Sequence, residues 1–131
     1  MKKLLLIVML CVSFANAQES NEINIIAQKQ METYNDRDIK AYASLFSDDI
    51  KVYDFPKKLR YEGKSKLIEY YGEFFKKTPE LFSFIEKRIV TDNKIIDQEK
   101  VIYEKGGTAK EYVVMYVVEN KKITEVYYIK R

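Results

Sequence analysis

Histidine is missing from this sequence altogether, and so is tryptophan. Without an imidazole, Ser-His and Cys-His nucleophilic machinery is excluded. There is one cysteine, Cys11, so no disulfide can form within the chain. With no His and a single Cys, zinc and copper lack their usual ligands. Neither a metal nor a cofactor is expected, and any acid–base chemistry falls to carboxylates, tyrosines or lysines. Only two prolines and four glycines are present, and nothing reads as a linker, a repeat or a low-complexity segment.

A long apolar run is also missing. The longest, at residues 4–14, is too short to cross a bilayer. It follows Lys2 and Lys3 and ends at the small residues Ala15 and Ala17. That pattern is a secretory signal peptide with cleavage after Ala17, and export to the periplasm or the extracellular space is expected. Leu10 stands before Cys11, where lipid attachment needs a small residue. Residues 18–131 then form one domain with no membrane span. Without Lys2 and Lys3 the balance is 21 basic against 20 acidic side chains. No basic block stands out, so a nucleic-acid partner is not expected.

What is present is aromatic and periodic. Eleven tyrosines and seven phenylalanines fall largely on apolar stripes. Ile23, Ile26, Ala27, Gln30, Met31 and Tyr34 recur at helical spacing, with Ser20 or Asn21 as the expected cap. Asp38 is placed to cap a short second helix bearing Ile39, Tyr42, Leu45 and Phe46. A third helix enters at Gly63, runs to about residue 77 and carries Leu67, Ile68, Tyr71, Phe74 and Phe75. Gly72 inside it suggests a close neighbour. Between the second and third helices lies a strand over residues 46–56. Four more strands are expected at 82–91, 95–104, 110–118 and 123–129, joined by short turns. The third of these is apolar on both faces, as when a second surface covers it, and a homodimer through the sheet is expected. The class is α+β: a curved sheet with helices on one face, enclosing a cavity at its open end.

Candidate residues follow from phase. In FSDDIKVYDFP, Ile50, Val52 and Asp54 share one face and Lys51, Tyr53 and Phe55 the other. Asp54 is either a carboxylate in an apolar pocket or a strand-end residue bonded to turn amides. The reverse phase would turn it outward. Tyr112, Val114 and Tyr116 share a face of their strand, and Tyr128 is in phase with Val126. These tyrosines suit a polar-lined apolar pocket, or an ordinary core and interface. Gln30 is a pocket donor or a helix-edge residue. Glu125 reads as a surface or interface charge, and Asp48-Asp49 as a solvated turn. Lys64 and Lys66 beside a single glycine do not make a phosphate site.

The strings YNDRDIKAYASLFSDDIKVYDFP (34–56), EGKSKLIEYYGEFF (62–75) and NKKITEVYYI (120–129) carry a family resemblance. The chain resembles the nuclear transport factor 2-like superfamily, in its SnoaL-like and ketosteroid-isomerase-like branch. The resemblance implies a cystatin-like α+β cone, a strongly curved antiparallel sheet with three N-terminal helices packed on its concave face. It also implies a homodimer and an internal pocket. It places Asp54 where the branch carries a general base. Gln30 falls where the isomerases have a tyrosine donor, and Val114 where they have a protonated acid. Tyr112 or Tyr116 would supply a phenol there if the register shifts. Two altered positions of three argue against steroid isomerisation itself. Three readings result. The first is a binding domain for a small apolar or amphipathic ligand, with Gln30, Tyr34, Asp54, Tyr112, Val114, Tyr116 and Tyr128 at the pocket. The second is a cofactor-independent isomerase, cyclase or dehydratase with Asp54 as base. The third is an interaction module with a filled pocket.

Overall fold

In the computed structural model of this chain, residues 17–131 are described in full. The side chains of the signal peptide expected over residues 1–17 lie, apart from Ala17, outside them. The helix α1 (Lys2–Asp36) is continuous across Ser20 and Asn21, so neither caps it. No glycine or proline interrupts that stretch, and serine or asparagine inside a helix costs under about 1 kcal/mol. Ile23, Ile26, Ala27 and Gln30 are its buried face. The helix ends where Arg37 takes φ 54°. Asp38 then caps α2 (Ile39–Ala43), its carboxylate accepting from Ala41 N–H at 3.0 Å.

The sheet follows. Strand β1 (Phe46–Asp54) leads to β2 (Lys58–Glu62), then to α3 (Lys64–Lys77). Strands β3 (Phe82–Thr91), β4 (Lys94–Ile102), β5 (Lys110–Glu119) and β6 (Lys122–Lys130) complete it. The order is β2-β1-β6-β5-β4-β3. Every pair is antiparallel except β1–β6. Strand β2 is absent from the sequence-based expectation because KLRYE is short and charged, its alternation resting on Leu59 and Tyr61 alone. Those are the properties of a protected edge strand. Gly63 turns the chain from β2 into α3 at φ 99°, where a side chain would be strained.

Register fixes which residues look inward. Val52 pairs with Val126, and Asp54 with Tyr128. Tyr128 pairs with Val114, and Val126 with Tyr116. Tyr116 pairs with Ile95, Val114 with Asp97, and Tyr112 with Glu99. One inner face therefore runs across β1, β6, β5 and β4. Bulges at Val52/Tyr53, Ile85/Lys87, Val113/Val114 and Val117/Val118 bend it. The helices pack on this concave side, α1 against β3 and β4, α3 against β1 and β2. Phe46, Ile50, Leu67, Ile95 and Ile123 fill the narrow end completely. The result is the expected cone. On the outer face Tyr53 stacks on Tyr127 at 4.9 Å, and Phe82, Ile89 and Ile129 are exposed.

Gly72 has no close neighbour. A methyl group there would meet nothing within 4 Å, and the residue lines an open groove between α2 and α3. The close packing expected at this position is not present.

Candidate functional site

The sheet's inner face cannot be filled at its wide end, because strands that diverge there leave more space than the helices cover. A cavity of about 430 Å³ remains. Its walls come from every layer. Gln30, Met31 and Tyr34 of α1 line it together with Tyr42 of α2 and Tyr71 of α3. From the sheet come Ser83, Glu99, Val101, Tyr112, Tyr116 and Tyr128. The tyrosine rings meet largely edge-on or tilted, Tyr34 on Tyr71 at 6.3 Å and Tyr42 on Tyr71 at 4.9 Å.

The hydroxyls are paired where they can be. Tyr71 and Tyr128 share a hydrogen bond of 2.9 Å, and Tyr103 and Tyr112 one of 2.6 Å. Burial pushes the Tyr34, Tyr42, Tyr71 and Tyr116 phenols well above their ordinary value. Tyr128 is pushed up to about 12, also by burial. All of them stay protonated at neutral pH and are available as donors.

Glu99 is the acidic side chain of this wall. Its carboxyl is pushed up to about 7, first by burial and then by the charge of Asp97. Ser83 and Arg88 oppose the shift, but the Ser83 hydroxyl donates to Glu99 Oε2 only at 3.4 Å. Asp97 lies two residues back on the same face and is fully buried. It accepts two bonds from Arg88, at 2.7 Å and 2.8 Å. Ser83 is held in turn by Asn35, which accepts from its N–H at 2.7 Å and donates to its carbonyl at 2.8 Å. The end of α1 thus fixes the floor of the cavity.

The mouth is cationic. Arg60, Lys110 and Arg131 line it. The guanidinium groups of Arg60 and Arg131 lie over the Tyr128 ring at 5.1 Å and 4.8 Å, and the Lys110 ammonium lies over Tyr103 at 5.4 Å.

The structure brings Gln30, Tyr34, Tyr112, Tyr116 and Tyr128 together in one wall. Val114 and Asp54 are not part of it. Val114 is buried beneath the wall at 1% exposure, because its partner Asp97 and the helices close over it. Asp54 faces inward as its phase requires, but it stands beyond the mouth. Its carboxylate lies 3.6 Å from both Arg60 Nε and Arg131 Nε. That is an open setting between two cations, not an apolar one. Glu125 lies on the outer face and accepts from the Tyr127 hydroxyl at 2.6 Å. Asp48 is exposed and pairs with Lys64 at 3.2 Å.

Glu99, Ser83, Tyr42, Tyr71, Tyr103 and the three cations were not among the expected pocket residues. A signal for Glu99 existed. In KIIDQEKVI, Ile95, Asp97, Glu99 and Val101 alternate in phase, which puts two acids on an apolar face.

Comparison with known proteins bears on this arrangement. The family model described as the SnoaL-like domain matches residues 27–126. The chain belongs to the SnoaL-like domain family. The match begins within α1 and ends in β6, so it takes in most of the cavity lining, with Tyr128 and Arg131 beyond it. Among solved structures, a cystatin-fold protein from Novosphingobium aromaticivorans superposes with a TM-score of 0.74 at 20% identity, covering 83% of this chain and 97% of that one. A candidate ketosteroid isomerase from Kribbella flavida gives 0.69 at 16% identity, covering 85% and 80%. A SnoaL-like protein of unknown function from Burkholderia thailandensis gives 0.70 at 11% identity, covering 84% and 96%. At these identities the likeness is one of fold. No curated protein matches the chain.

Proposed function

We propose that this SnoaL-like protein is exported and binds a small, mostly apolar or amphipathic molecule in the tyrosine-walled cavity. The observation that carries the reading is the cavity itself. At about 430 Å³ it has the size of a small-molecule site, and its walls combine aromatic surface with a few convergent polar groups. Gln30 and the Tyr128 and Tyr116 hydroxyls orient the ligand, and Glu99 meets its deepest polar atom.

Isothermal titration with 2-naphthol and with 6-hydroxy-2-naphthoate tests the reading. At least one of them binds, one per chain. Met31→Trp, which fills the cavity from α1, weakens binding at least about tenfold while the circular dichroism spectrum is unchanged. If neither compound binds, or if Met31→Trp has no effect, the cavity is not a binding site.

A second reading is favoured by one observation. Glu99 has a carboxyl near 7 inside the cavity, which is where a general base at neutral pH works best. Proton abstraction beside a carbonyl, with Tyr116 or Tyr128 donating to the enolate oxygen, needs no cofactor. This is the isomerase or cyclase class of chemistry, with Glu99 rather than Asp54 as base. Deuterium wash-out at the α-carbon of 2-tetralone in heavy water, faster with the wild type than with Glu99→Gln, would support it. Equal rates would end it.

The protein is further proposed to be a homodimer through the outer sheet face, where Phe82, Ile89 and Ile129 are exposed. Sedimentation of the wild type as a dimer and of Ile89→Glu as a monomer is expected. A wild type that sediments as a monomer would refute this.

A further inference from the structure

We propose that the cavity takes a planar aromatic acid carrying a second polar group. The acid's anion would sit among Arg60, Lys110 and Arg131, its ring among the tyrosines, and its far polar atom at Glu99 and Ser83. This inference rests on the reading of the cavity as a binding site and adds the class of the ligand.

The mouth carries the argument. Its three cations face one carboxylate, Asp54, so the opening has an excess of positive charge. The guanidinium groups of Arg60 and Arg131 approach Asp54 only at 3.6 Å, beyond hydrogen-bonding range. Neither makes a hydrogen bond among the described residues. Lys110 there has neither a hydrogen bond nor a carboxylate within 4 Å. Some cations elsewhere are engaged, Arg88 with Asp97, Lys130 with Glu111 at 2.9 Å and Lys100 with Glu86 at 2.6 Å, while solvent-facing lysines such as Lys57 and Lys58 stand outside this cavity. Arg37 donates to the Leu81 carbonyl at 2.6 Å. What sets Arg60, Lys110 and Arg131 apart is that all three line one cavity with donors left over. Two of the three belong to arginine, whose planar fork suits a carboxylate. The rings beneath them hold these cations in place through the aromatic face.

The interior selects the rest of the ligand. Tyr34, Tyr42, Tyr71, Tyr116 and Tyr128 present ring faces and edges, the surface against which a flat aromatic body packs. At the floor Glu99 has only the long contact from Ser83, so a hydroxyl or amine reaching it gains a partner. A cationic ligand would have to pass the positively charged mouth first.

Titration calorimetry in low-salt buffer, where exposed charges are least screened, compares three probes. They are 6-hydroxy-2-naphthoate, its methyl ester and 2-naphthol. The acid is expected to bind at least about tenfold tighter than either neutral compound. In the double variant Arg60→Gln/Lys110→Gln this preference falls to within about twofold, with the circular dichroism spectrum unchanged. The variant Lys57→Gln/Lys58→Gln removes the same charge from exposed positions outside the cavity and keeps the preference. If the neutral compounds bind as tightly as the acid, the inference is wrong and the cavity reading stands. If the preference survives in the double variant, the anion is held elsewhere and the inference is again wrong. If none of the three binds, the cavity reading fails and takes the inference with it.

Discussion

Asp97 and Glu99 look into the same interior from adjacent inward positions of β4, and only Asp97 holds an arginine. Asp97 has both oxygens on Arg88, at 2.7 Å and 2.8 Å. Glu99 is left with a 3.4 Å contact from Ser83. The strand therefore carries one acid satisfied by an ion pair and one held near 7 by burial and by its neighbour's charge. One strand thus sets two nearby carboxylates in opposite environments.

The raised carboxyl of Glu99 has a stability consequence with a definite sign. Its ordinary value is 4.5 and its folded value about 7. Between those two pH values the native state binds more protons than the unfolded chain, so stability falls as pH rises through the window. A shift of this size corresponds to at most about 3 kcal/mol, less what the open mouth returns by hydration. The other groups facing Glu99 are Ser83, Asp97, Arg88 and the phenols of Tyr34, Tyr103, Tyr116 and Tyr128. None of the phenols ionises in this range. Glu99→Gln should match the wild type in urea unfolding near pH 4 and exceed it by about 2 kcal/mol at pH 8. A difference that does not change with pH would show that Glu99 is well solvated in the fold.

Removing Arg88 should have the opposite effect on stability. The Asp97 side chain is 1% exposed, so Arg88→Met leaves a buried carboxylate without its cation. Breaking such a pair from one side costs about 3–5 kcal/mol. Arg88→Met/Asp97→Leu should recover most of that loss, because an apolar pair of similar volume is often as stable as the ions it replaces. Urea midpoints of the wild type, the single variant and the double variant provide the comparison. A double variant as unstable as the single one would mean the pair does more than satisfy itself.

Most of the fold was legible in the sequence because hydrophobic period was strong where burial was strong. Leu67, Tyr71 and Phe75 keep helical spacing, and Tyr112, Val114 and Tyr116 keep a period of two. Legibility failed where residues do not pack. KLRYE at β2 is a five-residue edge of which only Tyr61 packs against the core, and the helix start expected at Ser20 rested on capping chemistry that a continuous helix does not need. The site was half legible. Phase alone put Gln30, Tyr34, Tyr112, Tyr116 and Tyr128 on inward faces, where they line the cavity. It also put Asp54 inward, correctly as to direction. Phase does not say how far along the cone a residue stands, so Asp54 beyond the mouth and Val114 beneath the wall were indistinguishable from lining residues. The cations at the mouth come from β2, the start of β5 and the residue after β6. Only the curved, folded sheet brings these together.

Gly72 offers a stabilising change that leaves the cavity alone. It lies in the middle of α3, and a methyl group there meets nothing within 4 Å. Alanine is better than glycine in a helix interior by up to about 1 kcal/mol. Gly72→Ala should raise the urea midpoint accordingly and leave naphthoate affinity unchanged. Destabilisation would mean that the groove it lines between α2 and α3 closes in solution.

Asp54 separates the two roles a carboxylate at this position can have. It stands outside the cavity wall and lies 3.6 Å from Arg60 and Arg131. Pairs this exposed contribute about 0–1 kcal/mol, so Asp54→Asn should change stability by no more than that. Its larger effect should be on binding. With Asp54 neutral, both guanidinium groups turn their full charge on an arriving anion, and 6-hydroxy-2-naphthoate should bind about two- to fivefold tighter. The methyl ester, which has no charge for the arginines to gain, should be unaffected. A general base or a hydrogen-bonding anchor would behave otherwise. Its loss would weaken the acid and the ester together, and that outcome would move Asp54 from the rim into the site.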